Sequence, residues 1–264
     1  MHASEREQQI LQLLREKGFI GFQELDRQID ASAATLRRDL DRLAGDGRIE
    51  RVRGGAKFVD GSARLDAVGN GRLTGVPFHE NIGRNRAAKQ AIGREAAKLC
   101  QPGEAVIIDG GSTTLQMCSH LGDLGLQVLT NSLHIVSALL PQPNTQISIP
   151  GGALFREQNI ILSSFEEDGT DRYHAQKMFL GAASVGRHGV MQADVLLIQA
   201  ERRLLDRADE LILLVDSTKF SASAAHVLCA LEDVSIVLTD SGVTDAVARD
   251  VERAGPKLIV AQST

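Results

Sequence analysis

Ser32-Ala-Ala-Thr-Leu-Arg-Arg-Asp-Leu40 reads as the opening of a helix. Ser32 is a good N-cap, because its hydroxyl accepts an otherwise unpaired N–H of the first turn. Leu36, Leu40 and Leu43 fall at i, i+4 and i+7, so they face inward. Thr35, Arg37, Arg38 and Arg42 are then left pointing mostly outward. The helix is expected from about Ala33 to Gly45. Upstream, Ser4 to Lys17 carries one apolar stripe (Ile10, Leu11, Leu13, Leu14), with Ser4 as cap and Gly18 as stop. A gap at Phe19–Phe22 precedes a second short helix at Gln23–Ile29 and a turn at Asp30, Ala31 and Ser32. Downstream, Arg48 to Arg53 alternates like a strand, Gly54-Gly55 is a tight turn and Ala56–Val59 is a return strand. Helix, short helix, turn, basic helix and basic hairpin is the order of a winged helix-turn-helix.

Charge agrees with that order once it is read locally. The whole 264-residue chain has formal charge −5, which looks wrong for a nucleic-acid binder. Residues 1–57 are net +1, and residues 58–264 are net −6. Within 37–57 there are seven Lys/Arg (Arg37, Arg38, Arg42, Arg48, Arg51, Arg53, Lys57) against four acids. A helix entering the major groove needs polar residues at its N-terminal end and cations on its flanks to neutralise phosphate. The competing interpretation is a small three-helix domain with a solvated basic surface.

The same residues carry a resemblance. Ser32 to Leu40, preceded by Arg6, Ile10 and Leu14 and followed by Gly47 and Gly54-Gly55, resembles the helix-turn-helix signature of the DeoR family of bacterial transcription regulators. The family pattern is Ser-x-x-Thr-Ile-Arg-Arg-Asp-Leu with a wing ending in Gly-Gly. This chain departs by Leu36 and by Val52-Arg53 ahead of the glycines. The resemblance implies a DNA-facing set of Ser32, Thr35, Arg37, Arg38, Arg42, Arg51 and Arg53. Asp39 would repel phosphate and is expected to orient an arginine instead.

Gly61 to Gly83 has no period and holds five glycines and Pro77, as a linker does. Arg84 to Leu99 is helical. From Glu104 onward short apolar runs alternate with helical stretches. Strands are expected at Ala105–Ile108, Leu126–Leu129, Gln146–Ile149, Lys177–Leu180, Leu211–Val215, Ser235–Leu238 and Lys257–Val260, with helices between most of them. The fold class is therefore α/β. A winged helix-turn-helix domain (1–58) and a linker (59–85) lead into a mostly parallel α/β domain (86–264).

In such sheets ligands bind at the carboxyl ends of the strands. Those ends carry Asp109-Gly-Gly-Ser-Thr-Thr114, Thr130-Asn131-Ser132, Gly151-Gly152, Gly181 and Asp216-Ser-Thr-Lys219. Glycines admit close backbone approach, and Ser112 to Thr114 open a helix, which suits an anion such as phosphate. Lys219 would add a positive charge. The alternative is a plain βα turn with a good cap. These motifs also resemble, in order and spacing, the C-terminal sensor domain of the DeoR family, which is similar in fold to ribose-5-phosphate isomerase and CoA-transferase subunits. The resemblance implies an effector pocket for a phosphorylated sugar, lined by Asp109, Gly110, Gly111, Ser112, Thr113, Thr114, Asn131, Gly152, Gly181, Asp194 and Lys219. It departs after Phe179-Leu180-Gly181-Ala182, where Ala183-Ser184 replaces the usual glycine-containing run.

Other chemistries find little support. The available carboxylates Asp109, Asp194 and Asp216 form no catalytic pair at recognisable spacing, although a sugar-phosphate isomerase or transferase with an accessory helical domain is the alternative function. There is no Gly-x-Ser-x-Gly elbow and no Gly-Lys-Ser/Thr. Seven scattered histidines and three distant cysteines make neither a metal site nor a disulfide framework, so no metal and no cofactor are expected. Nine aromatics (8 Phe, 1 Tyr, 0 Trp) argue against recognition by stacking. With no signal peptide and no apolar run of membrane-spanning length, a cytoplasmic protein that does not meet a membrane is expected. The expected partners are a double-stranded DNA operator, a phosphorylated sugar and a second copy of the chain, as homodimer or homotetramer. The expected function is a repressor of carbohydrate-metabolism genes, and not an enzyme.

Overall fold

The computed structural model describes residues 3–17, 19–29, 31–45, 49–52, 55–58, 78–156, 158–163 and 168–262. The chain folds as two units, Met1–Arg72 and Leu73–Thr264.

The first unit holds α1 (Ala3–Lys17), β1 (Phe19–Gly21), α2 (Phe22–Gln28), α3 (Ala33–Gly45), β2 (Ile49–Val52) and β3 (Gly55–Phe58). Its strands form an antiparallel sheet in the order β1-β3-β2, with Ile20 opposite Ala56 and Val52 opposite Gly55. The three expected helices and the hairpin are present. The expected gap after α1 is instead the third strand. Three residues are too few to show a period, and β1 exists because it pairs with β3 and buries Ile20 completely. Helix α1 starts at Ala3, which puts Ser4 inside it and not at its cap. Ile10, Leu14, Leu25, Leu36, Leu40 and Leu43 are all fully buried in one aliphatic core. Gly47, Arg48, Arg53, Gly54 and residues 59–77 lie outside the described residues.

In the second unit α4 (Phe78–Asn81) and α5 (Arg86–Ala97) precede β4 (Ala105–Ile108). The chain continues through β5 (Gln127–Leu129), α6 (Leu133–Leu139), β6 (Gln146–Ser148), β7 (Ala153–Phe155), β8 (Ile160–Leu162), β9 (Ala175–Leu180), β10 (Ser184–Gly186) and β11 (Gly189–Gln192). Helix α7 (Val195–Leu205), β12 (Ala208–Leu214), β13 (His226–Cys229), β14 (Ile236–Asp240), α8 (Asp245–Ala254) and β15 (Lys257–Ala261) complete it. Seven strands form one sheet in the order β15-β14-β12-β9-β4-β5-β6, every neighbouring pair parallel. Residues 78–85, within the span expected as linker, belong to this unit. Phe78 is buried and stacks on His134, ring centroids 4.0 Å apart.

Strand residues alternate between two cores. Val106, Ile108, Phe179, Ile212 and Leu214 meet α5, α6 and the 3-10 turn Thr114–His120 through Ile92, Ala96, Met117 and Ile135. Ile107, Met178, Leu180, Leu213 and Val215 meet Ile198, Leu204 and Val251 of α7 and α8. Burial on both faces explains why these strands read as unbroken apolar runs. The expected α-helix after Asp109–Thr114 is a 3-10 turn. At Gly93 the α5 backbone presses so close to it that a methyl group would lie 2.5 Å from the Gln116 carbonyl carbon.

Chain order and sheet order reverse once. From β4 the chain steps outward to β5 and β6, then returns to β9 on the other side of β4 and proceeds to β12, β14 and β15. The connections after β4 and after β9 therefore leave in opposite directions. A crevice opens between them at the carboxyl ends, which is where open α/β sheets bind ligands. Outside this sheet lie two antiparallel additions that the sequence did not announce, the β7–β8 hairpin and the sheet β10-β11-β13.

Candidate functional site

Helix α3 presents the first candidate surface. Ser32 caps it as expected: its Oγ accepts the Thr35 N–H at 3.2 Å and lies 2.8 Å from the Thr35 hydroxyl. Leu36, Leu40 and Leu43 turn inward, which leaves Arg37 and Arg38 exposed. Arg37 lies over the Phe22 ring, 5.0 Å from its centroid, so its guanidinium is steered by α2. Asp39 orients an arginine, as its charge demands: Arg6 Nε donates to it at 2.6 Å, and Arg42 reaches it at 3.4 Å. Arg42 also pairs with Glu7 of α1. It is thus tied into the α1–α3 interface while its side chain remains half exposed. The backbone of Arg51 lies in β2, opposite Ala56, and its side chain and all of Arg53 lie outside the described residues.

The second candidate site is the β4/β9 crevice. Asp109, at the end of β4, is 5% exposed. Burial pushes its carboxyl up to about 6, against the backbone of Gly110 and the amide of Asn131, which favour the charge. Asn131, at the end of β5, accepts the Gly110 N–H with Oδ1 at 3.1 Å. Thr114 shapes the loop from within: its hydroxyl donates to the Asp109 or Gly111 carbonyl (2.7 and 2.9 Å) and accepts the Gly111 N–H. The hydroxyls of Ser112 and Thr113 make no hydrogen bond among the described residues. The loop needs its glycines. A methyl on Gly110 would lie 2.7 Å from Ile160 Cγ2, and one on Gly111 would lie 3.0 Å from Thr114 Oγ1 and 3.9 Å from the Gly181 Cα. Gly181 itself has nothing within 4 Å of a would-be side chain. The structure thus brings Asp109 to Thr114, Asn131 and Gly181 around one crevice.

Three predicted residues have other places. Gly152 starts the β7–β8 hairpin with φ +154°, and a side chain there would strike the Leu162 carbonyl at 2.5 Å. Asp194 caps α7, accepting the Leu196 N–H at 2.8 Å. Lys219 sits on the Ser217–Phe220 turn after β12, half buried. Beside that turn Asn85, Arg86, Ala87, Ala88, Asp216, Ser217, Thr218 and Asp240 line an open cavity of about 240 Å³, to which none of the predicted effector residues contributes.

Sequence reasoning missed three buried polar side chains near these strand ends. Lys89 of α5 is 1% exposed and donates from Nζ to the Asn81 carbonyl at 2.5 Å. Burial pushes its ammonium down to about 8, opposed by the charge of Asp216. Gln192 donates to the Gly181 carbonyl at 3.1 Å and to Glu201 Oε1 at 2.8 Å. Glu201, on the inner face of α7, is 2% exposed, and its carboxyl is raised well above the usual range by burial and by Asp109. All three sit in helix or strand patterns that look ordinary, and burial is not written in the sequence. Among the described residues no cluster of His, Cys, Asp and Glu is arranged to hold a metal ion, and no helix is long and apolar enough to cross a membrane.

Comparison with known proteins gives a consistent picture. Residues 6–62 match the DeoR-like helix-turn-helix domain, and residues 84–241 match the DeoR C terminal sensor domain. The chain is 26% identical over 259 residues to an HTH-type transcriptional regulator UlaR of Shigella flexneri serotype 5b (strain 8401), an alignment covering 98% of this chain and 99% of that one. It is similar to the same extent to the UlaR of Escherichia coli strain K12 / DH10B. Among solved structures, the ribose 5-phosphate isomerase A of Methanocaldococcus jannaschii is similar at TM-score 0.38 and 19% identity, over 52% of this chain and about half (55%) of that one.

Proposed function

The chain belongs to the DeoR family of transcriptional regulators, and from that premise we propose that it is a repressor of carbohydrate-metabolism genes released from its operator by a phosphorylated sugar. Its relatives are transcriptional regulators along almost the whole chain, which sets the isomerase alternative aside. One observation supports the ligand class above others: the Gly110–Thr114 loop, with two glycines and two uncommitted hydroxyls, stands where the sheet reverses its strand order. Backbone N–H groups and hydroxyls there suit phosphate, and the buried carboxyl of Asp109 suits a sugar hydroxyl. Lys219, on the turn after β12, supplies a positive charge to the phosphate. Arg37 and Arg38, with the wing residues Arg51 and Arg53, meet the operator. The protein works in the cytoplasm as a homodimer or homotetramer, because one winged domain makes few contacts and paired half-sites multiply them.

Release from the operator follows by linkage. A sugar phosphate that prefers the conformation with weak DNA affinity shifts the population towards it, and a coupling of about 1–3 kcal/mol suffices for a useful switch. The test is a thermal-shift screen of the full chain against phosphorylated pentoses and hexoses, followed by operator release with the best of them. Stabilisation by a sugar phosphate together with release is the expected result. Absence of both across the panel would overturn the ligand class.

A further inference from the structure

We propose that Glu201 determines which sugar the sensor unit accepts: its buried, unpartnered Oε2 pairs with a hydroxyl of the ligand whose phosphate the Gly110–Thr114 loop holds. The inference rests on the effector reading above and adds to it a residue and an orientation of the ligand.

Glu201 is 2% exposed, and its two carboxylate oxygens are in different situations. Oε1 accepts from Gln192 Nε2 at 2.8 Å. Oε2 is buried with no hydrogen-bond partner among the described residues. A buried polar oxygen left without a partner is destabilising, so a native structure that keeps one has a use for it. Its position is fixed from the crevice outward. The same Gln192 amide donates to the Gly181 carbonyl at 3.1 Å, and Gln192 Oε1 accepts the Ala183 N–H at 3.2 Å. Gly181 in turn faces Gly111, its Cα 3.9 Å from where a Gly111 side chain would begin. Glu201 is therefore clamped one side chain away from the end of β9, and Asp109 is close enough for its charge to raise the Glu201 carboxyl further.

Two buried acids at one end of the crevice orient a ligand. Wherever Asp109 or Glu201 is charged it repels phosphate, which is drawn to the N–H groups and hydroxyls of the loop. A hydroxyl both donates and accepts, so it satisfies Oε2 whether or not Glu201 carries its proton; a phosphate oxygen only accepts and satisfies the protonated state alone, and a methylene satisfies neither. A site built this way discriminates strongly against a ligand lacking that hydroxyl, because the oxygen is then left buried and unpaired.

The experiment titrates the full-length wild type, E201Q and E201L with inorganic phosphate and with the tightest sugar phosphate of the panel. Glu201→Gln keeps the acceptor for Gln192 and replaces only Oε2. Glu201→Leu removes both. The expected result is that phosphate affinity stays within about twofold in both variants. Sugar-phosphate affinity is expected to fall by about tenfold or more in E201L and by a smaller measurable factor in E201Q. Phosphate binding in the variants doubles as the folding control. Unchanged sugar-phosphate affinity in E201L overturns the inference; if E201L does not fold, unchanged affinity in E201Q overturns it. A parallel loss of phosphate and sugar-phosphate affinity in folded protein also overturns it, since Glu201 would then act on the loop as a whole. If the wild type binds neither probe, the effector reading falls, and this inference with it.

Discussion

Asn131 Nδ2 lies 3.4 Å from Asp109 Oδ1, held there because the Oδ1 of the same amide accepts the Gly110 N–H at 3.1 Å. One side chain thus ties the end of β5 to the turn after β4. At 3.4 Å it gives the Asp109 charge little support, and burial decides the balance by pushing that carboxyl up from 3.8 to about 6.

The consequence for stability has a definite sign. The folded-state value lies above the unfolded one, so the folded chain holds its proton longer. Stability from this group is highest below pH 3.8 and is lost as the pH rises to about 6. The loss at neutral pH is about 3 kcal/mol. Asp109→Asn should therefore stabilise the second unit at pH 8, stabilise it less at pH 5, and weaken the response to sugar phosphate. Urea unfolding of the full chain at the two pH values is the measurement. An equal gain at both would show that desolvation of Asp109 is not the cause.

Exposed Arg37 and Arg38 should act chiefly through DNA, since Leu36 and Leu40 carry the packing of α3, to which Arg37 adds its contact with the Phe22 ring. Replacing both arginines by alanine should abolish operator binding at physiological salt and leave sugar-phosphate binding intact. Whatever binding survives at low salt should show a salt slope smaller by about 2 per subunit. Arg42→Ala should behave differently. Its partners are Glu7 and Asp39, so the loss should appear first in the thermal stability of the first unit. Fluorescence anisotropy across a salt series separates the two. Wild-type slope in the double variant would remove Arg37 and Arg38 from the interface.

Much of this was legible because local chemistry and tertiary role agree. Leu36, Leu40 and Leu43 announce a helix and its buried face at once, and Ser32 announces its start. The parallel strands were visible because burial on both faces leaves apolar runs such as Val106–Ile108. What the sequence hid depends on partners far along the chain. Strand β1 is three residues long and exists through its pairing with β3. The strands of the β7–β8 hairpin and the β10-β11-β13 sheet have only three or four residues each. The crevice residues were recognisable where glycine is obligatory, as at Gly110 and Gly111. Glu201 and Gln192 carried no such mark: nothing in Gln199-Ala-Glu-Arg202 says that its acid faces inward. Asp194 illustrates the opposite difficulty, since a helix-capping aspartate, which it is here, and a ligand-binding one look alike in sequence.

Lys219 gives the next prediction. It is half buried on a turn at the end of β12, near enough to Lys89 for the Lys89 ammonium to feel its charge. A charge-assisted hydrogen bond to phosphate contributes about 1.5–3 kcal/mol. Lys219→Ala should then weaken sugar-phosphate binding roughly tenfold to hundredfold, with operator affinity unchanged in the absence of ligand. Isothermal titration of the full chain and anisotropy with the operator measure the two sides. Wild-type ligand affinity in this variant would place Lys219 outside the site.

Gly110 and Gly181 make a paired test of the crevice, because the same methyl group meets opposite surroundings. At Gly110 it would lie 2.7 Å from Ile160 Cγ2 and 3.1 Å from Asn131 Oδ1, and Ile160 is itself buried. Something must move, and overpacking of this kind costs about 1–3 kcal/mol. Gly110→Ala should therefore lower both stability and ligand affinity, which by itself says little about the site. At Gly181 the methyl would meet nothing within 4 Å, so the fold should tolerate it within about 0.5 kcal/mol. Gly181 lies across from Gly111, whose own added methyl would come within 3.9 Å of the Gly181 Cα. Gly181→Ala should keep the wild-type thermal midpoint and operator affinity while losing sugar-phosphate affinity, since the added group stands where the ligand lies. If Gly181→Ala binds the ligand as tightly as the wild type, the ligand does not occupy the β4/β9 crevice. The cavity lined by Asn85 and Asp216 would then be the place to look.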